Sequence, residues 1–385
     1  WVNSKAMALA GINDKTPDPD GGQIIRDDNG KATGVLIDTA EYLVTKKIPP
    51  ATELENNFAL DKAFSHLLSL GITSAHDAGI GQDIYQLYQT RQQEERLPMR
   101  VYAMLDGSSS KLTDWLNAGK ITDPQDKLSI RSVKLYSDGA LGSRGAAMIK
   151  PYSDQKDHKG LLVTKPAVLD DKVLEILSAG FQANIHAIGD RGNRIVLNAI
   201  EQAYQKDLGK NLRHRIEHTQ VVALEDLEKI KQLDLIASMQ PTHATSDMNM
   251  AEDRVGPHRI KGAYAWRTLL DQGTIIASGS DFPVELANPF HGIHAAVTRQ
   301  NHQNQPPGGW KPEQKMTLTE ALRSFTLDAA YAAHQEDSLG SLEPGKWADF
   351  ILVDQDIFKL DPSKLWQVNV EQTWVAGEKQ FQKAL

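Results

Sequence analysis

Seven short apolar runs, interleaved with stretches of helical periodicity, restrict this 385-residue chain to one class of fold. Aliphatic and β-branched runs that alternate with amphipathic helices form βα units, and βα units build a parallel α/β sheet. A helix with Phe64, Leu67 and Leu68 on one face ends at Gly71, just before the first run, Ile72-Thr-Ser-Ala-His-Asp-Ala-Gly. The others are Arg100-Val-Tyr-Ala-Met-Leu, Ser132-Val-Lys-Leu-Tyr-Ser-Asp-Gly, Ala183-Asn-Ile-His-Ala-Ile-Gly-Asp, Arg215-Ile-Glu-His-Thr, Leu235-Ile-Ala-Ser-Met-Gln-Pro-Thr-His and Ile275-Ile-Ala-Ser-Gly-Ser-Asp-Phe-Pro. Helices are expected between them at 172–178, 194–205 and 224–232. Eight such units close a (β/α)8 barrel, so the expectation is a TIM-like barrel whose first strand is missing and whose edges are left unpaired.

Residues 1–337 are assigned to this barrel. Its opening, to about residue 50, is rich in Gly, Pro and Asp with little periodicity, and reads as an irregular excursion over a barrel mouth. Thr317-Leu-Thr-Glu320 fits a capping box at the start of the last barrel helix. Residues 338–385 read as a second, β-rich module. Turn residues from Leu339 lead into a strand ending at Asp354, and Val368–Thr373 with Val375-Ala-Gly-Glu-Lys-Gln-Phe forms a hairpin. Two or three strands are marginal alone, so this module is expected to need partner strands that the sequence does not show.

A parallel barrel gathers the C-terminal ends of its strands at one mouth. Lys134, His186, His218 and Asp281 each close an apolar run, and together they spell a metal site. With no cysteine in the chain, a metal must be held by imidazole, carboxylate or a modified lysine. One histidine on an apolar strand is usually a packed core residue; four matched strand ends in order outweigh that reading. For Lys134 the alternative is a buried ion pair with Asp138 or Asp281. Asp138, Arg144 and His243 lie just beyond strand ends, where substrate should sit. Arg144 would meet a carboxylate and His243 a carbonyl oxygen, with loop-structural roles equally open. Glu217 and Asp190, adjacent to ligand candidates, are expected to face away from them. His76, Asp77 and His214 read as structural, and the helically spaced pair His291 and His294 as surface or mouth-lining. Trp266, Tyr264 and Trp310 are candidates for an apolar wall.

A formal charge of -8 with interspersed bases argues against a nucleic-acid partner and for a small-molecule one. No apolar run approaches the roughly 18 residues needed to span a bilayer, so no membrane partner is expected. Cytoplasm and periplasm stay equally open, and a homo-oligomer is compatible with the composition.

Val133-Lys-Leu-Tyr-Ser-Asp-Gly-Ala-Leu-Gly-Ser-Arg144, Ile185-His-Ala-Ile-Gly-Asp190, Arg215-Ile-Glu-His-Thr219, Ser280-Asp-Phe-Pro283 and Gly340-Ser-Leu-Glu-Pro-Gly-Lys-Trp-Ala-Asp349 occur in one order over nearly the whole chain. In that order they resemble the amidohydrolase superfamily, in the branch that includes N-substituted formamide deformylase and many uncharacterised metal-dependent hydrolases. The resemblance implies metal ligands at the strand ends and a β-sandwich built from both ends of the chain. It also implies a His-x-His pair on an earlier strand, yet no two of the twelve histidines are two residues apart. One cause explains both the missing strand and the missing pair: the chain is expected to be truncated upstream of Trp1. By the same resemblance, one or two divalent ions, zinc first, are held by His186, His218 and Asp281, and Lys134 is carboxylated to a bridging carbamate. Asp281 then relays a proton from an attacking water to a leaving nitrogen, hydrolysing a non-peptide carbon–nitrogen bond. A non-hydrolytic isomerase or decarboxylase of the same fold, and a catalytically dead binding protein, are the alternatives.

Overall fold

The opening of the chain is more regular than its composition suggests. In the computed structural model, which describes residues 1–384, a helix at Ser4–Ala10 precedes an antiparallel hairpin of β1 (Gly22–Arg26) and β2 (Ala32–Asp38). This corrects the irregular excursion expected there. The signal was present in Asp27-Asp-Asn-Gly30 between two alternating runs: Asp27 Oδ1 accepts from the Asn29 and Lys31 amides, and Gly30 supplies φ +78°. Ile24, Ala32, Leu36 and Ala40 then bury a small core of their own with Ile12.

The parallel sheet follows the expected order. Its strands are β3 (Ser74–Ile80), β4 (Arg100–Asp106), β6 (Leu128–Tyr136), β7 (Gln182–Ala187), β8 (Arg215–His218), β9 (Ile236–Met239) and β10 (Ile276–Ser278), with the two-residue β5 (Ile121–Thr122) antiparallel against β6. The sequence reading found the seven and missed β5, which is too short to show a period. Among the described residues β3 and β10 do not pair with each other, so the sheet stays open along that seam.

It is nonetheless strongly curled. Arg215 on β8 reaches His76 on β3 at 2.9 Å, although the two strands are four places apart and a flat sheet would separate them by about 19 Å. Strand periodicity explains what fills the interior. Val133, Leu135, Ala183, Ile185, Ile216 and Ala237 alternate onto the outer face and are buried under helices such as Pro166–Ser178 and Asp190–Gln205. The residues between them, Ser132, Lys134, Asn184, His186, Arg215 and Glu217, fall on the inner face. The concave side is therefore polar, and the chemistry of the chain is concentrated there.

Helix Glu53–Ser69 begins earlier than its apolar face suggested, because Thr52 and Glu55 form a capping box. The Thr317–Glu320 box forms as expected. At the C-terminus β11 (Phe350–Val353), β12 (Val370–Val375) and β13 (Glu378–Gln382) make an antiparallel sheet, with Ala376 and Gly377 at positive φ in the tight β12–β13 turn. Among the described residues no further strand joins it. Helix Glu53–Ser69 packs against β12 and β13, Thr373 donates to the Leu68 carbonyl at 2.7 Å, and Arg100 at the start of β4 grips Asp349 through two bonds of 2.6 and 2.9 Å.

Candidate metal centre

His186 and His218 come together at the C-terminal side of the sheet, ring centroids 4.6 Å apart and edge to face. For His186 the route is simple: it alternates inward with Asn184 on β7, and its Nε2 lies 3.4 Å from the Gly139 carbonyl and 3.6 Å from Asp138. His218 requires a break in the strand. Glu217 lines up with Arg215 on the inner face, so the next residue would point out toward the helices; φ of +76° at His218 and +45° at Thr219 turns the chain and swings the ring back to the mouth. A β-branched threonine in that region is strained, and such strain gathers at functional sites. Asp281, just past β10, is held at φ +59° in the same way.

His243, on the helix Pro241–Asp247 that follows β9, stacks on His218 at 5.8 Å and brings Nε2 to 3.8 Å from Asp281. Donor atoms of His218, His243 and Asp281 all lie within 4.8 Å of one another. The His243 Nε2 and Glu217 Oε1 are buried with no hydrogen-bond partner, as expected of groups waiting for a cation. His218 donates from Nδ1 to Gln240 Oε1 at 2.7 Å, the assignment that leaves its Nε2 with a lone pair facing the site.

Electrostatics favour neutral imidazoles throughout. Burial, reinforced by the Lys134 charge, holds His186 down to about 3, burial and His186 keep His218 well below its usual value, and burial alone takes His243 to about 4. Desolvation pushes Asp281 up to about 6 against the pull of Lys134. Lys134 itself, 5% exposed, is lowered by burial and steadied by Glu217 and Asp281. Two imidazoles and a carboxylate at this spacing, with the His186 ring beside them, are a donor set that fits a divalent ion of the zinc class.

The remaining expectations divide. Asp138 is fully buried and accepts from the Ile188, Gly189 and Ala147 amides and the Ser137 hydroxyl, which clips the loop after β6 to the loop after β7. Arg144 pairs with Asp154 at 2.7 Å. His243 joins the metal cluster. Glu217 corrects the reading that it faces away: its charge acts on both Lys134 and Asp281. The same period of two, counted from Arg215, would have found it. Asp190 accepts from Ile149 at the start of its helix, His76 meets Arg215, Asp77 accepts from Tyr88, and His214 bridges the Ala183 amide and the Gly209 carbonyl. Trp266, Tyr264 and Trp310 form no wall at the mouth; with Trp266 and Tyr264 buried, they pack around the buried Arg299, whose guanidinium lies 4.3 Å from the Trp266 ring and 5.1 Å from Trp310.

Known proteins repeat this framework. The profile of the Amidohydrolase family matches residues 1–379. The Bacillus subtilis protein YtcJ, named as an amidohydrolase, is 32% identical over 389 residues, covering all of this chain and 72% of its own. N-substituted formamide deformylase of Arthrobacter pascens is 26% identical over 396 residues, covering 100% of this chain and 71% of that one. The crystal structure of an uncharacterised metal-dependent hydrolase from Pyrococcus horikoshii superposes with a TM-score of 0.77 at 28% identity, over 94% of this chain and 70% of the other. This chain belongs to the amidohydrolase family.

Proposed function

We propose that the chain carries the barrel of a metal-dependent hydrolase acting on amide-type, non-peptide carbon–nitrogen bonds of a small molecule. The convergence of His218, His243 and Asp281 donors within 4.8 Å, beside His186 and Lys134, carries this reading. His186, His218 and Asp281 would hold the ion, with Lys134 contributing as a carbamate and His243 as a further ligand or as the donor to a substrate carbonyl. A zinc-class ion in that place polarises a carbonyl and acidifies water toward a pKa of about 7. Asp281, whose side chain is 38% exposed while that of His243 is 12%, is the member open to solvent. It takes the proton of the attacking water and returns it to the departing nitrogen. Arg144, occupied by Asp154, has no part in this scheme.

The open sheet is read as seven strands of a (β/α)8 barrel, and the C-terminal sheet as one part of a β-sandwich. The seam between β3 and β10 is where an eighth strand would close the barrel. N-substituted formamides are the first substrates to try, because the Arthrobacter relative is named for their deformylation.

Elemental mass spectrometry on the chain purified with zinc and bicarbonate, beside Lys134→Ala and Asp281→Asn, tests the centre. At least about one ion per chain, with a lower content in both variants, is the expected result. The metal-loaded protein should then hydrolyse an N-substituted formamide, with the activity lost in Asp281→Asn. No metal in any form of the chain, and no hydrolysis of the formamide, would refute the proposal.

A further inference from the structure

A second group of histidines lies where helix Pro289–Thr298 meets the 3-10 segment Pro362–Gln367. It shares no residue with the mouth cluster. His291 and His294, three apart, occupy one helix face. His302, on the loop that leaves the helix, closes on both, its ring centroid 4.4 Å from that of His291 and 5.9 Å from that of His294. Trp366 backs His302 in a parallel stack at 4.5 Å.

His294 supplies the independent observation. Its side chain is fully buried, yet its Nδ1 has no hydrogen-bond partner. Nε2 lies 3.3 Å from Asn304 Oδ1, which assigns the proton to Nε2 and leaves a bare lone pair on the buried Nδ1. An orphaned buried acceptor costs stability unless something occupies it. Burial favours the neutral form of the other two rings as well. Burial first, then repulsion from the neighbouring rings, takes His291 to about 4; burial also takes His294 to about 4 and lowers His302.

We propose that His291, His294 and His302 form a second, histidine-only site for a divalent transition-metal ion of the zinc or copper class. Imidazole is a ligand such ions share, and three of them leave a position for water or a fourth donor. Among the described residues only the mouth set already brings three donors within 4.8 Å. Binding here would require the His291 and His302 rings to turn about Cβ–Cγ until a nitrogen of each faces His294. The bound ion would pin the loop 299–310 to its helix, and the site would be a structural staple with no direct part in the mouth chemistry.

The test uses a chain with the mouth disabled by His218→Asn and Asp281→Asn. Equilibrium dialysis against zinc chloride should still find about one ion per chain, and a copper(II)-loaded sample should show nitrogen couplings from imidazoles in its electron paramagnetic resonance spectrum. Adding His302→Gln, which keeps a side chain of similar bulk against Trp366, should weaken zinc binding at least about tenfold and abolish the zinc-induced rise in melting temperature. Circular dichroism of the metal-free variant checks that it folds. The proposal is overturned if the mouth-disabled chain binds no ion above background, or if a folded His302→Gln chain binds zinc as before.

Discussion

Gln240 decides which nitrogen of His218 faces the mouth. By accepting from Nδ1 at 2.7 Å while its own Nε2 reaches the Ser238 carbonyl at 3.3 Å, it fixes both the tautomer and the ring plane. Gln240→Leu removes that orientation without touching a donor, and such an outer contact is worth about 10- to 100-fold in metal affinity. Competition of the variant against a chromophoric zinc chelator should show that loss; an unchanged affinity would mean that packing alone orients His218. Lys134, His186, His218 and Asp281 were legible in the sequence because each closes an apolar run and parallel strands end together. His243 and Glu217 were not placed as well, for a physical reason. The positive φ values at His218, Thr219 and Asp281 break the alternation from which facing was inferred, and a residue on the short helix after β9 lies outside any strand period.

At the scale of elements, β2 docks on the loop after β6 through Asp38. Its carboxylate lies against the backbone of Gly139 and Gly145, where a Cβ at either glycine would come within 2.2 or 2.3 Å of Oδ2, and that oxygen is buried without a partner. Burial, aided by the Glu41 charge, raises the acid to about 6. An acid that binds its proton more tightly in the folded chain costs nothing below its unfolded value near 4, then destabilises progressively as pH rises to about 6 and stays costly above. Asp38→Asn should therefore leave urea stability unchanged near pH 4 and add about 1–2 kcal/mol at pH 7.5, after discounting for partial solvent access. Equal stabilities at both pH values would show that the charge is solvated. Thr52 gives a simpler case: Thr52→Ala deletes the cap of helix Glu53–Ser69 and should cost about 1 kcal/mol in the same assay. Helix interiors were legible from their apolar faces. The hairpin and this helix start were carried by turn and cap residues, whose signal spans four positions and is lost among similar polar residues.

Across the whole molecule, two ties bear on the open sheet, one to its surroundings and one within it. One is the Arg100–Asp349 pair, with Arg100 1% exposed, which joins β4 to the C-terminal sheet and also caps the Ala376 amide. Asp349→Ala strands a buried guanidinium, so a loss of about 3–5 kcal/mol in denaturant unfolding is expected, large beside a typical total of 5–15. The other connection depends on metal. The edge strand β10 hangs on β9 through a register of three residues, Ile276 to Ser278. His218 ends β8, and His243 and Asp281 follow β9 and β10, so an ion held by all three would tie the edge to the interior of the sheet. Opening β10 would then release the ion. At a free concentration about 100 times Kd this linkage is worth about 2.7 kcal/mol, or roughly 100-fold in the opening equilibrium. Hydrogen exchange at the β10 amides paired with β9 should slow by that factor on adding zinc and recover with a chelator. If Lys134, His186 and His218 held the ion without Asp281, β10 could open with the metal still in place, and its exchange would not respond to zinc at all.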